Sequence, residues 1–174
     1  MTPTTAPART NSEMIRGVID CLNRHDAASA KEYWSSEIKH RFPDRTVHGP
    51  DAVAAWFEES WASMADWHMD VITIAEQGDE VFVRWRLTGH HTGMLSGVAP
   101  TGTLLTLDGM DHMVVRDGKL VSNFVVSDQL TPARQMGMMP PQDSLPERLM
   151  KRGFNVWTKL RGKRPAASPV RPSQ

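Results

Sequence analysis

The sequence predicts an α+β fold: a cone-shaped, curved and mostly antiparallel sheet, three N-terminal helices that enclose a pocket with it, and an extra helix at the C-terminus. Three observations carry this prediction. Apolar residues recur at helical spacing before residue 65, they alternate with period two across residues 70–128, and an Asp-Gly pair separates the last two alternating runs. Helices followed by a run of strands are typical of domains in which the helices cover one side of an antiparallel sheet.

The three helices are predicted from their start signals and apolar stripes. The first begins at Asn11 or Ser12, both good N-cap residues, and its stripe runs from Met14 to Leu22. A short second helix begins after Asp26. The third opens at Gly49-Pro50-Asp51, where the missing N–H of proline is not needed. Its broad stripe recurs at 3.6-residue spacing and consists of Val53, Trp56, Phe57, Trp61 and Met64.

Five strands are predicted, over residues 37–42, 70–75, 81–88, 104–115 and 119–128. The last two form a hairpin around Asp117-Gly118, since such a turn requires residues that tolerate a positive φ. Alternation places one set of side chains of the last strand on a common face: Leu120, Ser122, Phe124, Val126 and Asp128. Two roles for the carboxylate that ends this face are open: it caps the following segment, or it serves a function that offsets its desolvation.

The composition excludes several classes of protein. Twenty basic and 20 acidic side chains give a net charge of zero, so no overall field attracts nucleic acid. The one cysteine cannot form an internal disulfide, and no apolar run approaches the roughly 20 residues of a membrane span. Because the N-terminus lacks a basic-then-apolar leader, we expect a cytoplasmic protein. Neither metal-ligand spacing nor a phosphate-binding loop occurs, so we expect no metal and no cofactor.

The chain divides into four predicted segments. Residues 1–10 are expected to be disordered, and residues 11–139 form the sheet domain. Residues 140–162 are predicted to be an amphipathic helical extension, and residues 163–174 a second disordered tail. Eight basic residues and one acidic residue give the segment 145–174 a charge of +7. Two interpretations of the extension are open: its apolar stripe packs on the domain or on a second subunit, or it lies on a membrane surface.

The second half of the chain contains an ordered set of short motifs. They are Arg84-Trp85, Gly89–Gly93, Gly97, Pro100–Gly102, Asp117–Leu120, Phe124, Asp128 and Gln135–Gly137. In their order and spacing, these motifs resemble the sequence pattern of the SnoaL-like polyketide cyclase family, which has the nuclear transport factor 2-like fold. Two positions depart from the family pattern: residues 122–124 replace Glu-x-Trp, and Val114 stands where an arginine is common. Both changes make the pocket less polar than is typical of the family.

The resemblance implies a cofactor-independent cyclase or isomerase of bacterial natural-product biosynthesis. Its substrate would be small, apolar or polycyclic and polyketide-like, and the reaction an aldol cyclisation, an isomerisation or a dehydration. In that family the acid before the final helix is the general acid and base, which is the position of Asp128. We expect desolvation by Phe124 and Val126 to raise the pKa of Asp128 toward neutrality. His91 or His112 would donate a hydrogen bond to the reacting oxygen. Two structural alternatives are also open: His91 holds its glycine-rich loop, and His112 is a buried, hydrogen-bonded residue of its strand.

The predicted pocket is lined by large apolar side chains and one histidine: His40, Trp56, Trp61, Trp85, Met94, Met110, Phe124 and Val126. Six Trp and 11 Met suit a roomy pocket, although they also suit an ordinary core. Solvent or turn roles are expected for His90, Asp108 and Asp111. We expect a homodimer. The alternative to an enzyme is a non-catalytic module that binds a small apolar ligand in this pocket, or a protein partner through its C-terminal helix.

Overall fold

The computed structural model describes residues 10–161, so the expected disorder of residues 1–9 and 163–174 lies outside the described residues. The chain forms two compact units, residues 1–136 and residues 137–174. The first unit contains the sheet, and the second contains the C-terminal helix.

The described part of the first unit consists of helices and strands in the predicted order. The helices are α1 (Asn11–Asn23), α2 (Ala27–Lys31), α3 (Pro50–Ser63) and α4 (Leu130–Gln135). The strands are β1 (Trp34–Arg41), β2 (Thr46–His48), β3 (His68–Gln77), β4 (Glu80–His90), β5 (Leu104–Arg116) and β6 (Lys119–Ser127). Strand β2 is an addition to the prediction, because a run of three residues is too short to display alternation.

The six strands lie in the order β2-β1-β6-β5-β4-β3 and form a curved sheet that does not close. Neighbouring strands are antiparallel except β1 and β6, which run parallel. The predicted fold class, an α+β domain built on a curved and mostly antiparallel sheet, is therefore confirmed.

The N-terminal helices pack on one face of the sheet and form the core with it. Helix α1 contacts β3 and β4, and α3 contacts β1 and β2. Ile15 of α1, Val53 of α3 and Val83 of β4 are fully buried, and burial of such side chains is the main favourable term in folding. The N-cap of α1 is Thr10, one residue before the predicted start, because its side chain forms a reciprocal capping box with Glu13.

A change of register between β5 and β6 decides which face of the last strand is buried. Val115 pairs with Leu120, whereas the preceding Val114 pairs with Ser122, so β6 contains one extra residue at this point. Leu120 is buried at 1% exposure, while Phe124 lies on the opposite face at 39%. The prediction that Leu120 and Phe124 share a face is wrong, because a bulge of one residue reverses the alternation beyond it.

The second unit contains α5, which spans Leu145–Leu160. Its N-cap Ser144 accepts a hydrogen bond from the backbone N–H of Glu147, and a proline lies in the first turn. Gly153 lies within the helix and does not interrupt it. Across residues 10–161, none of the helices has both the length and the apolar character needed to cross a membrane.

Candidate functional site

Four buried polar side chains form a network on the helix-covered face of the sheet, which we call the Asp111 cluster. Its members come from four adjacent strands: His40 on β1, Asn123 on β6, Asp111 on β5 and Trp85 on β4. Each is at most 6% exposed. Trp85 donates its Nε1–H to Asp111 Oδ1 at 2.9 Å, and Asn123 donates from Nδ2 to Asp111 Oδ2 at 3.0 Å. Asn123 Nδ2 also lies 3.0 Å from His40 Nε2.

A glycine positions Trp85 in this cluster. Gly109 of β5 is the direct cross-strand partner of Trp85, and Asp111 follows two residues later on the same face. A Cβ atom on Gly109 would lie only 2.3 Å from the indole ring. Because Gly109 has no side chain, the indole lies directly over the backbone of β5 and extends along this strand to the Asp111 carboxylate.

Burial sets the protonation of the two titratable members of the cluster. It raises the pKa of Asp111 to about 6, and the hydrogen bonds from Trp85 and Asn123 oppose this effect without cancelling it. Burial also lowers the pKa of His40 to about 3, so its imidazole is neutral at pH 7. The cluster thus contains one carboxyl that titrates near neutral pH and one histidine that does not.

Two polar atoms of the cluster have no hydrogen-bond partner among the described residues: His40 Nδ1 and Asn123 Oδ1. A neutral imidazole carries one hydrogen, and the His40 Nε2 atom accepts from Asn123. That hydrogen is therefore assigned to Nδ1, which makes it a buried and unpaired donor. Because such burial costs free energy, an unpaired donor and acceptor beside a titratable carboxyl mark a candidate site for an oxygen-bearing ligand.

A cleft of about 230 Å³ lies next to the cluster, where β1 and β6 end. It is lined by Arg41, Phe42, Pro43 and residues 124–127. The ring of Phe42 stacks on the imidazole of His40, with centroids 3.8 Å apart. One aromatic side chain therefore connects the cleft with the buried network.

Asp128 lies on the other face of the sheet, where β6 ends, and its side chain is exposed. Its carboxylate accepts hydrogen bonds from the backbone N–H groups of Leu130 and Thr131, at 2.9 and 3.1 Å, and from the Thr131 hydroxyl. The side-chain and backbone bonds from Thr131 are the main reason that the pKa of Asp128 is below its ordinary value. The expectation that desolvation raises this pKa is wrong, since Asp128 is solvated and holds the first turn of α4.

The structure does not bring His91 and His112 together with Asp128. His91 follows β4 and is fully buried, and its Nδ1 accepts a 3.3 Å hydrogen bond from the backbone N–H of Thr101. It thereby ties together the two ends of the glycine-rich loop, which supports a structural role. His112 lies on the exposed face of β5 and stacks on Phe82 at 4.7 Å.

The predicted pocket residues divide between the two faces of the sheet. His40, Trp61 and Trp85 are buried on the helix-covered side, and Trp56 of α3 is half-buried. The remaining four are exposed, at 64, 51, 39 and 56% respectively: Met94, Met110, Phe124 and Val126. The bulge in β6 accounts for Phe124 and Val126, because it turns them away from the helices.

Sequence reasoning missed Asp111 and Asn123. Asp111 was expected to face solvent, and this expectation is wrong, since the side chain is 6% exposed and doubly hydrogen-bonded. The available signal was its position between Gly109 and Met113 on one face of β5, opposite a strand that carries Trp85. Within residues 10–161, no three His, Cys, Asp or Glu side chains are grouped closely enough to hold a metal ion.

A curved open sheet beneath N-terminal helices is the architecture of nuclear transport factor 2-like proteins, and a solved protein of that class from Cytophaga hutchinsonii superposes with a TM-score of 0.55. The chain belongs to the SnoaL-like polyketide cyclase family, whose model matches residues 12–136. It is 25% identical to the aklanonic acid methyl ester cyclases AcmA of Streptomyces galilaeus and DnrD of Streptomyces peucetius, over 74% of this chain and 91% of each enzyme. The structure of TsrD from Streptomyces laurentii has a TM-score of 0.67 at 17% identity, covering 75% of this chain and 100% of TsrD.

Proposed function

We propose that this protein is an enzyme that closes or isomerises the carbon framework of a polyketide-like substrate by acid–base catalysis alone, with Asp111 as the general acid and base. The observation that carries the proposal is the buried Asp111 carboxyl, whose pKa is about 6. At neutral pH such a group is mostly ionised and can take a proton, and its pKa lies close enough to neutrality for it to return that proton. The family membership and the two relatives named as cyclases support the same reaction class.

In a cyclisation, ionised Asp111 takes a proton from a carbon that lies between two carbonyl groups. The resulting enolate carbon attacks a second carbonyl carbon, and the electron pair of that C=O bond moves to oxygen. The new alkoxide takes the proton back from Asp111, so the carboxylate is regenerated and atoms and charge balance. The hydrogen bonds from Trp85 and Asn123 hold the carboxylate in place and leave further lone pairs on its oxygens for the proton.

His40 supplies the second function that this reaction requires. The enolate and alkoxide oxygens carry developing negative charge, which a fixed donor stabilises. The Nδ1–H of His40 is buried, has no partner among the described residues and belongs to an imidazole that stays neutral. A neutral donor polarises the carbonyl oxygen and does not compete with Asp111 for the proton.

The test compares Asp111→Asn with Asp128→Asn, using aklanonic acid methyl ester, the compound in the names of both relatives, as the first substrate. We expect Asp111→Asn to lower kcat by roughly 100- to 10,000-fold, the range for loss of a general acid–base group. Asp128→Asn should retain most activity. The reverse result would assign the role to Asp128, as the family resemblance does. Thermal unfolding of both variants distinguishes lost chemistry from lost folding.

The exposure of Asp128 favours a second candidate function, that of a non-catalytic module. Its carboxylate is solvated, caps α4 and lies in the field of Arg134, which is the behaviour of a structural acid. A binding module would hold a polyketide-like ligand in the same site with no turnover. Ligand binding by the wild-type protein, with no product formed and with affinity unchanged in Asp111→Asn, would select this function over catalysis.

A further inference from the structure

Helix α5 has two halves of opposite chemistry. Successive residues of a helix are about 100° apart, so the large apolar side chains of α5 occupy about half of its circumference. Each of them is exposed, from 44% for Met150 to 82% for Leu160. They are Leu145, Leu149, Met150, Phe154, Val156, Trp157 and Leu160. An apolar surface of this size on a helix is ordinarily covered by another surface.

The other half of α5 is cationic. It carries Arg148, Lys151, Arg152 and Lys159 among small polar residues. The acid of the helix, Glu147, is only 2% exposed, accepts from the backbone N–H of Asp143 at 2.8 Å and pairs with Lys151 Nζ at 2.9 Å. At the end of the helix the Arg161 guanidinium lies over the Trp157 ring, 4.3 Å from its centroid. The exposed charge of α5 is therefore positive throughout.

The apolar half and the cationic half of α5 together indicate what kind of surface the helix binds. We propose that α5 binds an anionic lipid surface, with its apolar half at the boundary between headgroups and acyl chains and its cations among the headgroups. A helix of 16 residues is about 24 Å long, so it lies in the plane of the interface and does not cross it. The inference is independent of the chemistry proposed for Asp111.

The distribution of charge argues against a second copy of α5 as the surface that covers the apolar half of the helix. Paired helices are ordinarily bridged by opposite charges along the edges of their apolar seam. In a pair of α5 helices these edges would bring Arg148, Arg152 and Lys159 together with their own counterparts, and Glu147 is already buried. A seam between two helices is also narrower than half a circumference, whereas the apolar face of an interfacial helix has that breadth.

The experiment is flotation of the full chain with vesicles of phosphatidylcholine, with and without phosphatidylglycerol. We expect binding to the anionic vesicles only, and less of it as salt rises. Phe154→Ser should weaken binding about 10-fold, because it removes one buried aromatic side chain. Arg148→Gln combined with Arg152→Gln should weaken it roughly 25-fold, at about five-fold per basic residue. Asn155→Ala, on the polar half, should bind as the wild type does.

Three results would overturn the proposal. The first is no flotation of the wild-type chain with anionic vesicles. The second is binding that neither Phe154→Ser nor the double arginine variant weakens, since α5 would then not be the contact. The third is a dimer, measured by light scattering, that Phe154→Ser converts to a monomer without any change in vesicle binding, which would assign the apolar face to a second copy of the chain.

Discussion

The indole N–H of Trp85 donates a 2.9 Å hydrogen bond to Asp111, and this bond joins β4 to β5 in the interior of the domain. It is a charge-assisted bond whenever Asp111 is ionised, so it favours the carboxylate against the desolvation that raises its pKa. The balance between the two effects leaves Asp111 titrating near neutral pH. The properties of the candidate site therefore depend on residues that do not themselves exchange protons.

Trp85→Phe keeps an aromatic ring and removes the donor. Because the lost hydrogen bond favoured the ionised form, the pKa of Asp111 should rise from about 6, by about one unit for one hydrogen bond. The acidic limb of the pH profile of kcat/KM should move to higher pH by the same amount. Trp67→Phe, which removes a buried indole that does not bond to Asp111, is the control. If the acidic limb of the pH profile of Trp85→Phe stays at the pH of the wild type, the assignment of Asp111 as the general acid and base is contradicted.

Gly109→Ala tests whether the bare backbone positions Trp85. The added methyl group would lie 2.3 Å from the indole, so the ring must move away from Asp111. We expect a loss of about 1–3 kcal/mol in the free energy of unfolding, typical of overpacking, together with a lower kcat. Gly153→Ala is the matched control, since the space around Gly153 is open and alanine favours a helix. Urea unfolding measures the first effect, and an unchanged stability of Gly109→Ala would refute the steric argument.

Asp111 also makes stability depend on pH with a defined sign. Its pKa is raised from 3.8 to about 6 on folding, so the folded state holds a proton that the unfolded state has lost. The stabilisation is complete below pH 3.8 and disappears as the pH rises through about 6, which corresponds to about 3 kcal/mol. The free energy of unfolding of Asp111→Asn, taken relative to that of the wild type, should therefore rise by about this amount between acidic and neutral pH. If the difference in unfolding free energy between Asp111→Asn and the wild type does not vary with pH, then the pKa of Asp111 is not changed by folding.

Local signals in the sequence were sufficient to predict the fold. The turn at Asp117-Gly118 has the positive φ values, 51 and 69°, that its residues favour, and it pairs β5 with β6 as predicted. The stripe of α3 also packs as its spacing indicates, with Val53 and Phe57 in the core. Such features depend on a few adjacent residues, and the chemistry of those residues is visible in the sequence.

The site could not be derived in the same way, because its residues meet across four strands. Asp111 is tolerated in the interior only because Trp85 and Asn123 satisfy it, and those partners are 26 and 12 residues away. A bulge opposite Val114 and Val115 then decides that Asn123 faces inward while Asp128 does not. A single inserted residue in a strand has no strong local signal, yet it reverses every side chain beyond it.

We propose that the expected homodimer forms through the exposed face of the sheet. Cross-strand pairing aligns Phe82 with His112 and Phe124, and places Met110 beside Val126. The four apolar members of this set are between 36 and 56% exposed. The two rows also contain His112 and Arg84, the cross-strand partner of Met110, so the patch is amphipathic. A regular sheet face of this kind suits an isologous contact, in which the same surface is used by both copies.

Met110→Lys adds a second positive charge beside Arg84 in this patch and should convert a dimer to a monomer, since a desolvated and unpaired ammonium next to a like charge opposes association. Light scattering measures the mass of the wild-type chain and of the variant. Gln77→Lys, an exposed position at the end of β3, adds the same charge outside the patch and should leave the mass unchanged. A wild-type chain that is monomeric, or a dimer that Met110→Lys does not weaken, would exclude the sheet face as the interface. Because Asp111 lies on the opposite face, Met110→Lys should leave its pKa, and so the pH profile, unaltered.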